Sequence, residues 1–148
     1  MYPNEIMSNH TFTPFSELIR SEEELLRRLL VVSQRQMEIV SECSETVLLE
    51  HLGLRHKLWN EIELVEEQLA PYKGIPPEKR VWKSVQERQL TESALNQCKD
   101  LMEKIMANDQ ISLARAAARR DEVAAQLRRV QQSTVAVPAY VKQSQLQR

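Results

Sequence analysis

The sequence predicts an all-α protein: an elongated antiparallel helical hairpin, or a three- to four-helix bundle, with coiled-coil-like packing. Three observations carry this expectation. The 148 residues include only two glycines, well under the usual share of about 7%, and sheets lean on glycine for their turns. Apolar residues recur at helical spacings along most of the chain. From Glu78 to Gln132, 55 residues run with neither proline nor glycine, as helices prefer.

Taken in order, residues 1–13 show no periodicity and read as a flexible N-terminus. Thr13-Pro14 has the chemistry of a helix start: a hydroxyl to cap the end, then a proline where its missing N–H costs nothing. From Phe15 to Val40 two apolar series interleave, Ile19, Leu26, Leu30, Met37 and Leu18, Leu25, Val32, Ile39. The resulting stripe is wider than a two-stranded seam requires, so this helix should touch more than one neighbour. The polar stretch 41–46 either ends the helix, with Ser44 capping a new one, or bends it. The pattern resumes at Leu48, Leu52, Leu58, Trp59, Ile62, Val65 and Leu69.

Pro71-Tyr72-Lys73-Gly74-Ile75-Pro76-Pro77 is a clear break and predicts a turn at 71–77. Beyond it the apolar series is Val81, Trp82, Val85, Leu90, Leu95, Cys98, Met102 and Ile105. It weakens at Ala107-Asn108-Asp109-Gln110, then resumes at Leu113, Ala117, Val123, Ala124, Leu127 and Val130. From Ser133 the period fails, and Pro138 follows. The expected organisation is one helical domain over 14–132, made of two antiparallel arms (14–70 and 77–132), with a flexible C-terminal tail over 133–148. Charge favours that pairing. Residues 1–75 carry 13 acidic and 7 basic side chains, and residues 110–148 carry 2 and 7.

Several function classes are not expected. Gly53 and Gly74 alone cannot build a phosphate-binding loop. The longest apolar run, Leu29-Leu30-Val31-Val32, is far too short for stable membrane insertion. The opening residues lack the basic and apolar regions of a secretory signal. Cys43 and Cys98 form no CxxC pair and read as free thiols of a cytoplasmic protein. The histidines His10, His51 and His56 have no metal-ligand spacing and read as surface residues. No metal, cofactor, catalytic residue or enzymatic activity is expected. Arg115, Arg119, Arg120, Arg128 and Arg129 form a basic cluster. With no interleaved aromatics and a net charge of −1, it reads as a solvated face pairing with the acidic arm, not as a nucleic-acid site. Trp59 and Trp82 are expected to cap the core at the hairpin end; a partner-binding anchor is the alternative. The last amphipathic segment and its tail are either a further packing layer or a recognition element.

Three stretches resemble the FlgN family of flagellar export chaperones. Leu25-Leu26-Arg27-Arg28-Leu29-Leu30 with Gln34-Arg35-Gln36-Met37 is similar to the family's opening leucine-rich helix. Leu48-Leu49-Glu50-His51-Leu52 with Arg55-His56-Lys57-Leu58 resembles the stretch that follows its short gap. Ile105-Met106-Ala107-Asn108-Asp109-Gln110-Ile111-Ser112-Leu113-Ala114 resembles the segment before its last amphipathic helix, with Asp109 replacing one of two usual asparagines. The resemblance covers residues 18–132. It implies a cytoplasmic chaperone that binds the C-terminal helices of hook–filament junction subunits (FlgK/FlgL type). Such a chaperone keeps them unpolymerised and delivers them to the type III export gate. By that likeness Leu113, Ala117, Val123, Ala124, Leu127 and Val130 are cargo-contact candidates, and Tyr140 is the candidate contact to a gate component of the FlhA type. The alternative is a non-enzymatic structural coiled-coil module that forms a homodimer, for which the wide stripe on residues 18–40 is the support.

Overall fold

The computed structural model describes residues 12–42 and 44–146, with side chains described as far as Ser133. Three helices make up the fold: α1, Pro14–Glu42; α2, Glu45–Lys73; and α3, Val85–Leu146. A single 3-10 turn, Pro77–Lys79, lies between α2 and α3. The expected all-α bundle forms, in its three-helix version.

Of the two readings of the polar stretch 41–46, the structure takes the first, and the 14–70 arm is divided into two helices. α1 ends at Glu42, and Ser44 caps α2 with extended backbone (φ −66°, ψ 161°), its hydroxyl accepting from the Val47 N–H. Folding back here lets α2 cover one side of the wide α1 stripe, which a continuous helix would leave in water. The picture of two long antiparallel arms is corrected accordingly.

Helix starts follow local chemistry. The Thr13 hydroxyl accepts from the Ser16 N–H at 3.3 Å, and the Thr13 carbonyl accepts from Glu17 at 3.0 Å. Pro14 takes the first helical position, as the sequence leads one to expect. α3 starts later than expected, at Val85, because Ser84 supplies its cap: the Glu87 N–H donates to the Ser84 hydroxyl at 3.0 Å. Val81, Val85 and Leu90, which the apolar series counted toward the core, are exposed. At the other end the α3 backbone stays helical to Leu146, past the expected stop after Gln132. The β-branched residues there lower helix propensity only slightly.

Cross-helix bonds set the directions. Ser16 pairs with Glu87 and Thr91, Ser33 with Asn108, and Val40 with Arg119, so α1 and α3 run parallel. α2 returns antiparallel, with the His51 Nε2 3.0 Å from the Val32 carbonyl. Among the described residues, every close backbone approach between helices involves α1. α1 is therefore the central helix, and its buried residues occupy about half its circumference. α2 and α3 reach one another through side chains. His51 is a correction: it is buried, not a surface residue.

Two apolar clusters fill the interior. Leu26, Leu29 and Val32 of α1 meet Leu58 and Ile62 of α2 and Cys98, Leu101 and Ile105 of α3, with Trp59 packed alongside. Nearer the α2–α3 turn, Phe15, Ile19, Leu69 and Ala94 form a second cluster against Tyr72 and Trp82. Phe15 lies 5.4 Å from the Tyr72 ring and 5.9 Å, edge-on, from Trp82. The Arg80 guanidinium sits 4.5 Å over Phe15, a cation–π contact. Trp82 thus closes the core at the turn as expected, whereas Trp59 packs at mid-bundle. Cys98 is a buried free thiol, and burial pushes its pKa up to about 12. His10, Tyr2 and Cys43 lie outside the described residues.

Between the clusters sits a carboxyl pair. Burial, and then the neighbouring Glu66, push the Glu22 carboxyl up to about 8. Glu66 is held below its ordinary value by its bond to Glu22 and by Lys73. The folded pair therefore shares one proton at neutral pH, held by Glu22. Once the unfolded chain releases that proton above its ordinary value of 4.5, proton uptake favours the folded state less and less as pH rises. This contribution to stability is lost by the time pH passes about 8. Glu22→Gln, which cannot ionise, is expected to unfold at a higher urea midpoint than the parent at alkaline pH, with the gap narrowing toward pH about 5. Parallel curves for the two proteins across that range would show that Glu22 is already ionised.

Candidate protein-binding surface

The surface is built by the way α3 outlasts its neighbour. Along α1, α3 is tied at both ends. At the start, the Glu87 carboxylate oxygen Oε1 accepts from the Thr13 hydroxyl at 2.9 Å, the Ser16 hydroxyl at 3.1 Å and the Thr13 N–H at 3.4 Å. A buried anion is thus set against the positive N-terminus of α1. At the far end, Arg115 donates to the Met37 carbonyl at 2.6 Å and Arg119 to the Val40 carbonyl at 2.8 Å. These two cations satisfy carbonyls in the last turns of α1, a stretch without a basic residue of its own, where the dipole is negative. The expectation for the basic cluster is corrected here. Arg115 and Arg119 meet the acidic arm through backbone carbonyls of α1 and not through its carboxylates, while Arg120 sits 3.6 Å from Asp121 on the exposed surface.

The polar gap at 107–110 is also a tie. Asn108 donates to the Ser33 hydroxyl at 3.0 Å. Arg55 of α2 meets both carboxylate oxygens of Asp109, at 2.7 and 2.6 Å, and donates to Gln36 of α1 at 2.9 Å. This half-buried, bidentate network joins all three helices. A run that weakens the apolar stripe therefore fixes the register.

Arg119 marks the point level with the end of α1. Beyond it, Arg120 to Leu146 extends about 40 Å as continuous helix. The buried face of α3, carrying Ala94, Cys98, Leu101, Ile105 and Ser112, keeps its direction past that point. Val123 follows Ile105 by eighteen residues, or five turns at about 3.6 residues each, so the two point the same way. Of the cargo-contact candidates, Leu113 is 70%, Val123 46%, Leu127 57% and Val130 61% exposed. Ala117 and Ala124 are half-buried. The structure thus brings the six together along one stretch of α3 and leaves them out of the core. Tyr140 lies outside the residues whose side chains are described.

Sequence reasoning missed the floor of this surface. Where α1 ends and α2 begins, an open groove of about 360 Å³ is lined by Val40, Leu48, Leu52, Leu113 and Ala116, with Arg55 and Asp109 at its edge. A second cavity of about 270 Å³ lies between α2 and α3 over Ile19, Leu26 and Leu69, beside Glu22, Glu66 and Cys98. Among the described residues no helix is long and apolar enough to cross a membrane, and no group of three or more His, Cys, Asp or Glu is arranged to hold a metal ion. No family model, curated protein or solved structure matches the chain.

Proposed function

We propose that this protein is a binding protein and not an enzyme: a cytoplasmic export chaperone of the FlgN-like kind. It captures the C-terminal helical region of hook–filament junction subunits, keeps them unpolymerised and passes them to the export gate. One observation carries the reading. α3 continues past the bundle with aliphatic residues left in water, at Val123 and Leu127, and Leu113 is exposed just before the end of α1. Docking an amphipathic helix there buries those side chains, each worth about 1.5–3 kcal/mol when fully buried, and needs no catalytic group. The wide α1 stripe is covered within the chain by α2 and α3, so a dimer of this chain would have to use another face.

The test is hydrogen exchange on the full chain, with and without a peptide from a junction subunit's C-terminus. Slowed exchange is expected between Leu113 and Val130. Leu127→Asp is expected to abolish the effect while the helical circular dichroism signal is retained, because Leu127 contributes nothing to the core. Unchanged exchange over Leu113–Val130 in the parent protein would remove the proposal.

A further inference from the structure

We infer that the occupant of this surface is an acidic amphipathic helix that lies end-on to α1, continuing its line along α3. This rests on the functional reading above and specifies the chemistry of the partner.

Continuity gives the position. α1 covers the inner face of α3 as far as the Arg119–Val40 bond. The same face then runs on through Val123 and Leu127, both exposed. A helix placed where α1 would have continued meets that face with the parallel α1–α3 geometry already present. Its near end comes to rest over the groove formed by Val40, Leu48, Leu52 and Leu113, which suits a large apolar side chain.

Charge gives the class. Beyond Arg119, the stretch to Leu146 carries four basic residues, Arg120, Arg128, Arg129 and Lys142, against Asp121 and Glu122. Arg115 and Arg119 are directed to α1 carbonyls; Arg120, Arg128 and Arg129 lie beyond the bundle. The helix that covers the preceding part of α3 is itself acidic, with six acidic and four basic residues in α1. A partner of the same kind has an aliphatic stripe flanked by Asp or Glu. The same segment of a second copy would bring two segments of net positive charge together and is disfavoured by their repulsion.

The experiment measures binding of the full chain to two labelled designed helical peptides by fluorescence anisotropy. They share one aliphatic stripe and differ in carrying Glu or Lys beside it. The Glu peptide is expected to bind at least about tenfold more tightly at low salt, with the ratio shrinking as salt rises from about 0.05 to about 0.5 M. The double variant Arg120→Glu/Arg128→Glu is expected to reverse the preference. Leu127→Asp is expected to abolish binding of both. Equal affinities, or a preference unmoved by the arginine reversals, overturn the inference. So does sedimentation showing a dimer that Leu127→Asp dissolves, which would make a second copy the occupant. If a junction-subunit peptide protects α3 while the two designed peptides bind alike, the charge assignment falls and the chaperone reading stands. If no helical peptide binds, both fall.

Discussion

Leu29→Ala is expected to lower the unfolding free energy by about 3–5 kcal/mol, and the melting temperature by on the order of 10 °C. Leu29 is 0% exposed and sits where all three helices meet, with Leu26, Leu58, Ile62, Leu101 and Ile105 around it. Removing its outer carbons leaves a void that the two flanking helices cannot both close. Leu127→Ala, the same change on the same residue type, is expected to cost less than about 0.5 kcal/mol, because that side chain lies beyond the bundle. Urea unfolding of the two variants beside the parent protein decides the matter. Comparable losses would place Leu127 inside the folded unit and undo its assignment to a binding surface.

The second large effect belongs to Glu87. Glu87→Ala is expected to cost about 2–4 kcal/mol, since it removes a buried acceptor from three donors and opens a space. Glu87→Gln keeps an oxygen in place of Oε1 and is expected to cost about 1 kcal/mol, the difference between a charged and a neutral acceptor. The contrast separates a capping role from mere packing. If Glu87→Gln unfolds with the parent protein and Glu87→Ala alone is destabilised, the charge in the bonds to Thr13 and Ser16 contributes nothing and the side chain acts as filler. Hydrogen exchange at the first turn of α1 provides a second readout, with faster exchange expected in the alanine variant alone.

Much of the fold was legible because its signals are local. Thr13-Pro14 opens a helix with neighbouring atoms, and Ser44 does the same for α2. The break at 71–77 declares itself through proline and glycine, although α2 carries on through Pro71 to Lys73 before it turns. The width of the α1 stripe foretold two neighbours. What was not legible is carried by bonds between residues far apart in the chain. Ser84 and Glu87 have the spacing of a capping box, in which the carboxylate turns back on its own helix; here it caps α1 instead. Arg115 and Arg119 look like any exposed basic pair until the end of α1 is placed beside them. Asn108-Asp109 reads as a gap because a stripe pattern counts only apolar residues, and Arg55 supplies its partner from another helix. His51 looked like a surface residue for the same reason: its acceptor is a backbone carbonyl, which no sequence pattern displays. The candidate contact residues were readable as an amphipathic stripe. Their exposure was not, since it depends on where α1 stops.

The final tie at Arg119 has an evolutionary consequence. Among the described residues, the ties that hold α1 in place lie at or before it, and the exposed Val123, Leu127 and Val130 lie after it, on one uninterrupted helix. Substitutions after Arg119 escape purging for misfolding, whereas substitutions before it do not. The two ends of α3 are therefore free to diverge at different rates. The outer stretch can change, residue by residue, on a scaffold that does not register it.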